Sequence, residues 1–134
     1  MLQNAIVKSA ADPKNLFIVD GLGALLSSFL LGVALVKFQE YFGIPVPTLY
    51  FLAVLPLFFV LYDFYSYIKP ATHSGRLLRI LSYVNVSYCV LSLGLAFYHF
   101  KVVTLLGWVY ILVEIAIVLF IAIIEFKVSK RLIL

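Results

Sequence analysis

The chain has 134 residues, of which 65% are hydrophobic and 12% charged, with a formal net charge of +4 and a mean hydropathy of +1.15. A soluble domain is about half apolar and about a quarter charged, and a disordered chain is poorer still in apolar residues, so both classes are excluded. A single cysteine excludes an internal disulfide and any thiolate cluster, and an integral membrane protein remains.

Crossing a hydrocarbon layer of about 30 Å takes roughly 20 mostly apolar residues in a helix. Residues 1–15 read as a short N-terminal segment with too little apolar surface for a core of its own. Gly21 to Val36 carries no charge, and with its flanks it predicts a first span over 16–38. Gly43-Ile44-Pro45-Val46-Pro47 then interrupts the helix, because proline disfavours helix in the residue before it and suits a first helical turn. The uncharged run Tyr41 to Tyr62 predicts a second span over 46–68. A polar turn, Lys69-Pro70-Ala71-Thr72-His73-Ser74-Gly75, precedes a third span over 77–99. The link around His99 to Thr104 is so short that the fourth span, 103–126, must return as an antiparallel hairpin. Hydrocarbon cannot hydrogen-bond a strand edge, so continuous spans of this length are helices. The expected fold is all-α: one domain, a four-transmembrane-helix bundle running up-down-up-down.

Lys8, Lys14, Lys69, Arg76, Arg79, Lys127, Lys130 and Arg131 fall on one side of this arrangement, and only Lys37 and Lys101 on the other. Basic loops stay cytoplasmic, so both termini are expected inside the cell. The first apolar stretch leads into Lys37-Phe38-Gln39-Glu40 without a small-residue cleavage pattern, so it reads as a retained span and not a signal peptide. Tyr41, Tyr50, Tyr62, Tyr65, Tyr67, Tyr98 and Trp108 lie near the interfaces, as amphipathic rings prefer. The positive charge reads as topology and contact with anionic lipid heads. No basic domain is present that could hold a nucleic acid. Gly21-Leu22-Gly23 lacks the third glycine of a nucleotide loop, and no G-x-S-x-G nucleophile motif occurs, so no enzyme activity is expected.

Polar residues inside the spans are costly unless they face protein or water, which makes them the informative ones. In the third helix Ser82, Asn85, Cys89, Ser92, Ala96 and His99 recur at steps of three and four, on one face. Ala24, Ser28 and Gly32 in the first helix form a small-xxx-small row that permits close helix approach, and Asp20 continues it. Gly107, Tyr110, Glu114, Ile121 and Glu125 share a face of the fourth helix; Ala53, Pro56, Val60, Asp63 and Tyr67 share one of the second. Cys89 reads as a small hydrophobe within such a packing seam.

Glu114 lies near the bilayer centre, where a charged carboxylate costs roughly 2.5 kcal/mol or more. Its depth matches Ser27, Ser28, Pro56, Tyr88 and Cys89, and Asn85 lies one turn away. With no Lys or Arg at that level, the expectation is a neutral acid donating a hydrogen bond. Two readings stand: a structural interhelical bond, or a titrating or ligand-binding site formed by Glu114, Tyr88, Asn85, Cys89 and Ser28. At the cytoplasmic end Asp20, Asp63 and Glu125 share a level with Arg76, Arg79 and Lys127. Ion-pair tethering of helix ends is the expectation there, with a metal or phosphate group as the lesser alternative. His73 and His99 stand roughly 39 Å apart along the third helix, so they cannot ligate one haem. No metal site or cofactor is expected. His99 reads as a wet interfacial histidine or a pH-responsive group.

Leu16-Phe17-Ile18-Val19-Asp20-Gly21-Leu22-Gly23-Ala24, Asn85-Val86-Ser87-Tyr88-Cys89 and Phe97-Tyr98-His99-Phe100 resemble segments of a family of small four-span integral membrane proteins of Bacteroidota-type bacteria. The resemblance implies four spans and a bacterial inner membrane, and no chemistry. The expected function is therefore a structural, accessory or lipid- or partner-binding membrane protein. Its partners would be membrane lipids, further copies of itself or another membrane protein. The alternatives are a small proton-coupled carrier using Glu114 and an inner-face lipid-modifying enzyme using Asp20, Asp63 and Glu125.

Overall fold

The computed structural model describes residues 3, 4, 7, 8 and 12–133; residues 1, 2, 5, 6 and 9–11 of the expected N-terminal segment lie outside the described residues. Four long helices follow in order: α1 (Lys14–Lys37), α2 (Val46–Ile68), α3 (Ser74–Tyr98) and α4 (Leu105–Ile133). A π-helical turn, Leu30–Ala34, is set into α1, and a single helical turn, Gln39–Phe42, follows it. A 3-10 turn, Ala71–His73, joins α2 to α3. No strand occurs among the described residues.

The boundaries follow local chemistry. Pro47 stands in the first turn of α2, where its missing N–H would have had no partner. α4 runs seven residues beyond the expected end at Phe126. Nothing stops it: the segment contains no glycine or proline, and Lys130 and Arg131 in its last turn complement the negative end of the helix dipole. At about 1.5 Å per residue, each helix exceeds the thickness of a hydrocarbon core.

Burial is the reverse of a soluble protein's. Leu22, Phe29, Leu61, Phe64 and Val90 are exposed, whereas Asp20, Asp63, Ser66, Ser82, Asn85, Ser92, Glu114 and Glu125 are buried. Such a partition is stable only in an apolar solvent, and all four helices are long and apolar enough to cross a membrane. The chain is a small multi-pass membrane protein built as a four-helix bundle.

α1 packs on α2 along its length, and α3 on α4, so the bundle is a pair of hairpins. The small-residue row of α1 forms the first seam. The Ser28 hydroxyl donates to the Ala53 carbonyl at 2.8 Å, and a Cβ placed on Gly32 would stand 3.1 Å from that of Ala53. In α3, Ser82, Asn85, Cys89, Ser92 and Ala96 are all buried, as their spacing requires.

The two hairpins are knitted together at the end opposite the basic loops. The Thr104 N–H donates to the Phe42 carbonyl at 3.1 Å, and its hydroxyl donates to the Tyr41 carbonyl at 2.6 Å. Gly43 takes φ 75°, in the left-handed region, and a Cβ there would overlap the Val102 carbonyl oxygen. Around this lock packs one apolar core, with Leu31, Leu35, Ile44, Leu49, Val103 and Ile111. A second core, with Leu16, Phe17, Leu78, Leu81, Ile124 and Val128, closes the basic end. Asp20, Asn85 and Glu114 face the space between them.

Gly43→Ala should lower unfolding stability by about 2 kcal/mol or more, from left-handed strain and the overlap combined. Gly23→Ala, where an added Cβ meets nothing, should stay within about 0.5 kcal/mol of the parent. Unfolding of the purified protein in mixed micelles measures both.

Candidate functional site

Each helix contributes one residue to a polar layer toward the basic end: Asp20 from α1, Asp63 from α2, Asn85 from α3 and Glu125 from α4. All are buried, Glu125 completely. The Asn85 amide donates to both Asp20 Oδ1 at 2.9 Å and Glu125 Oε1 at 2.8 Å, using both of its N–H groups. Asp63 lies on the other side, against the backbone of α1 next to Asp20. It packs against Gly21, where a Cβ would stand 3.4 Å from its own. Asp20 Oδ2, both Asp63 oxygens and Glu125 Oε2 are buried without a hydrogen-bond partner.

The expected arginine tethers take a different course. The Arg79 guanidinium lies 5.5 Å over the Phe126 ring, and Arg76 is exposed. The three acids turn to the bundle interior, whereas Arg79 is half-buried against Phe126 with its Nε unpartnered. Tyr62 donates to the Leu77 carbonyl at 2.7 Å and so ties α2 to α3 beside this layer. Among the described residues no group of three His, Cys, Asp or Glu side chains is arranged to hold a metal ion.

Nearer mid-membrane, Glu114 is buried and accepts two hydrogen bonds. Tyr88 donates to Oε1 at 3.1 Å, and Tyr110 donates to Oε2 at 3.2 Å. Asn85, expected within reach of Glu114, is instead committed to the layer below, and two phenols partner the acid in its place. Tyr110 stands one turn before Glu114 on the same face of α4, a spacing that marks it as a partner. Tyr88 is braced edge-on by Phe59, with ring centroids 5.7 Å apart. Cys89 packs with its sulfur 3.9 Å from the Ile115 carbonyl. Ser28 is occupied in the α1–α2 seam, and its neighbour Ser27 faces the site instead. His99 pairs with Thr48 at 3.1 Å, far from both acid groups along α3, and His73 is exposed.

A cavity of about 210 Å³ separates the two hairpins where α1 faces α4. Asp20 and Asn85 line one end, and Glu114, Tyr88 and Tyr110 the other; on α4 the lining runs from Tyr110 to Ile121. Glu114 and Ile121 are seven residues apart, or roughly 10 Å along the axis. Apart from Ser27 the remaining lining is apolar, and among the described residues no Lys, Arg or His contributes to it. Leu26 of α1 and Val113 and Ile117 of α4 form its rim and are themselves about half exposed, so the cavity opens sideways toward the acyl chains.

Comparison of the chain with known protein families, with curated proteins and with solved structures gives no match.

Asn85→Leu should lower stability by about 2–4 kcal/mol, because it leaves Asp20 Oδ1 and Glu125 Oε1 without their donor. Tyr110→Phe should cost about 1 kcal/mol, since Glu114 keeps its bond from Tyr88. Micellar unfolding curves of the two variants test the difference.

Proposed function

We propose that this protein binds a lipid or another amphipathic molecule between its two hairpins, without catalysing a reaction, in a bacterial inner membrane. The observation that carries this reading is the laterally open cavity, apolar along its length and polar at both ends. Sites of this kind bury a ligand's apolar body and fix its orientation through a few polar groups. Here Leu26, Leu30, Val113 and Ile117 would contact the chain of such a molecule. Asp20 and Asn85, or Glu114 and Tyr110, would meet its polar part. The absence of nucleophile and nucleotide motifs agrees with binding alone. The excess of Lys and Arg on the loops at one end supports a cytoplasmic position for both termini.

A second reading is a proton-coupled carrier. It draws support from Glu114, a mid-membrane acid that faces the cavity.

Gly23 lines the cavity, and a Cβ added there meets nothing within 4 Å. Gly23→Leu should therefore leave stability unchanged and weaken saturable binding of a fluorescent fatty-acyl probe about tenfold, equivalent to ~1.4 kcal/mol. Binding at the parental level in that variant would remove the cavity reading. The carrier reading requires that Glu114→Gln abolish pH-dependent uptake by reconstituted vesicles while the protein stays folded.

A further inference from the structure

The two acid groups of the bundle have opposite hydrogen-bond balances. Glu114 takes one phenol on each oxygen and is satisfied. The cluster of Asp20, Asp63 and Glu125 has six carboxylate oxygens and, among the described residues, a single donor residue, Asn85, which reaches two of them. Asp63 is the independent sign that something is held there. Its side chain is 3% exposed, neither of its oxygens has a hydrogen-bond partner, and its Oδ2 would stand 3.6 Å from a Cβ on Gly21, the residue next to Asp20.

Every element packed around the cluster contributes to its electrostatics. α1 brings Asp20. α2 brings Asp63 and the Tyr62 hydroxyl, which is turned to the Leu77 carbonyl. α3 brings Asn85, with Arg79 turned to Phe126. α4 brings Glu125. Among the described residues no cationic side chain is paired with the acids, and three bare carboxylates gathered in one layer inside a membrane repel one another and lack solvation.

The identity of the occupant follows from space and geometry. The carboxyls are not arranged as metal ligands. Asp63 and Glu125 do not line the cavity, so an ammonium or hydrated ion entering it reaches Asp20 alone. A proton needs no volume: placed between two carboxyls it turns a pair of acceptors into a donor and an acceptor.

We infer that Asp20, Asp63 and Glu125 form a proton-binding site, with protons shared from Asp63 and Glu125 to Asp20, and that Asp20 is its connection to the cavity. Asn85 is a positioning residue that holds Asp20 and Glu125 in register. No bond other than O–H is made or broken, and each proton taken up neutralises one carboxylate. The connection rests on the proposed role of the cavity; the proton site itself does not.

Infrared spectroscopy of the full-length protein in lipid nanodiscs at neutral pH tests this. The expected spectrum contains the carbonyl stretch of protonated carboxylic acids, shifting in heavy water. Asp63→Asn and Glu125→Gln should each remove part of that band, and Glu114→Gln should leave those components in place. Gly23→Leu, which fills the cavity, should slow their deuterium exchange severalfold. Absence of a protonated-acid band in the parent protein overturns the inference even if a variant fails to fold. So does a band lost only in Glu114→Gln. A band that exchanges equally fast in Gly23→Leu overturns the connection to the cavity. Loss of fatty-acyl probe binding without any change in the bands would bear on the cavity alone.

Discussion

In hydrocarbon, a polar atom finds its partner inside the protein or goes without. That rule organises this bundle more than any apolar contact does, because lipid tails solvate leucine as well as a neighbouring helix does. Asn85 shows the effect most plainly. One amide joins the carboxyls of α1 and α4 from its place on α3, and Asp63 on α2 completes a layer drawn from all four helices. The carboxyls stay at the axis because no other place among lipids would accept them.

The hairpin architecture then decides where space remains. Small residues bring α1 against α2 with almost no gap at Gly21 and Gly32, and α3 follows α4 closely. Between hairpins the contact is fixed at the end opposite the basic loops, where Thr104 bonds Tyr41 and Phe42. At mid-height α1 and α4 stand apart. A bundle tied by loops and by a polar layer, with a gap between the two ties, has a cavity as a direct result of its connectivity.

Much of this was legible in the residues. The spans follow from charge-free length, and the α3 stripe from its three-and-four spacing; both reappear in the fold, with α4 extended because nothing in its last turns opposes helix. The meeting of Asp20, Asp63 and Glu125 was legible as a shared depth. What they meet was not. Depth arithmetic puts Asn85 within reach of either acid level, and only the rotation of α3 about its axis assigns it to the lower one. The arginine tethers failed for a related reason: a shared level says nothing of radial direction, and Arg79 points outward to Phe126. Tyr110 carried its signal in the i to i+4 spacing with Glu114. The cavity had none, since it is a property of the distance between hairpins and not of any segment.

The π turn at Leu30–Ala34 has a consequence for the length of the first span. A π turn holds one residue more than the ladder of an α-helix requires, so the part of α1 that carries Asp20 and Ser28 and the part that carries Leu35 obey two helical phases offset by one position. Deleting one residue from this turn would restore a uniform helix and shorten it by about 1.5 Å while keeping each part against its own neighbours. Deletion between Asp20 and this turn would instead rotate the acid relative to the seam residues that follow it. Between the acid and the far end of the seam, tolerance to a one-residue deletion is thus concentrated in these five residues.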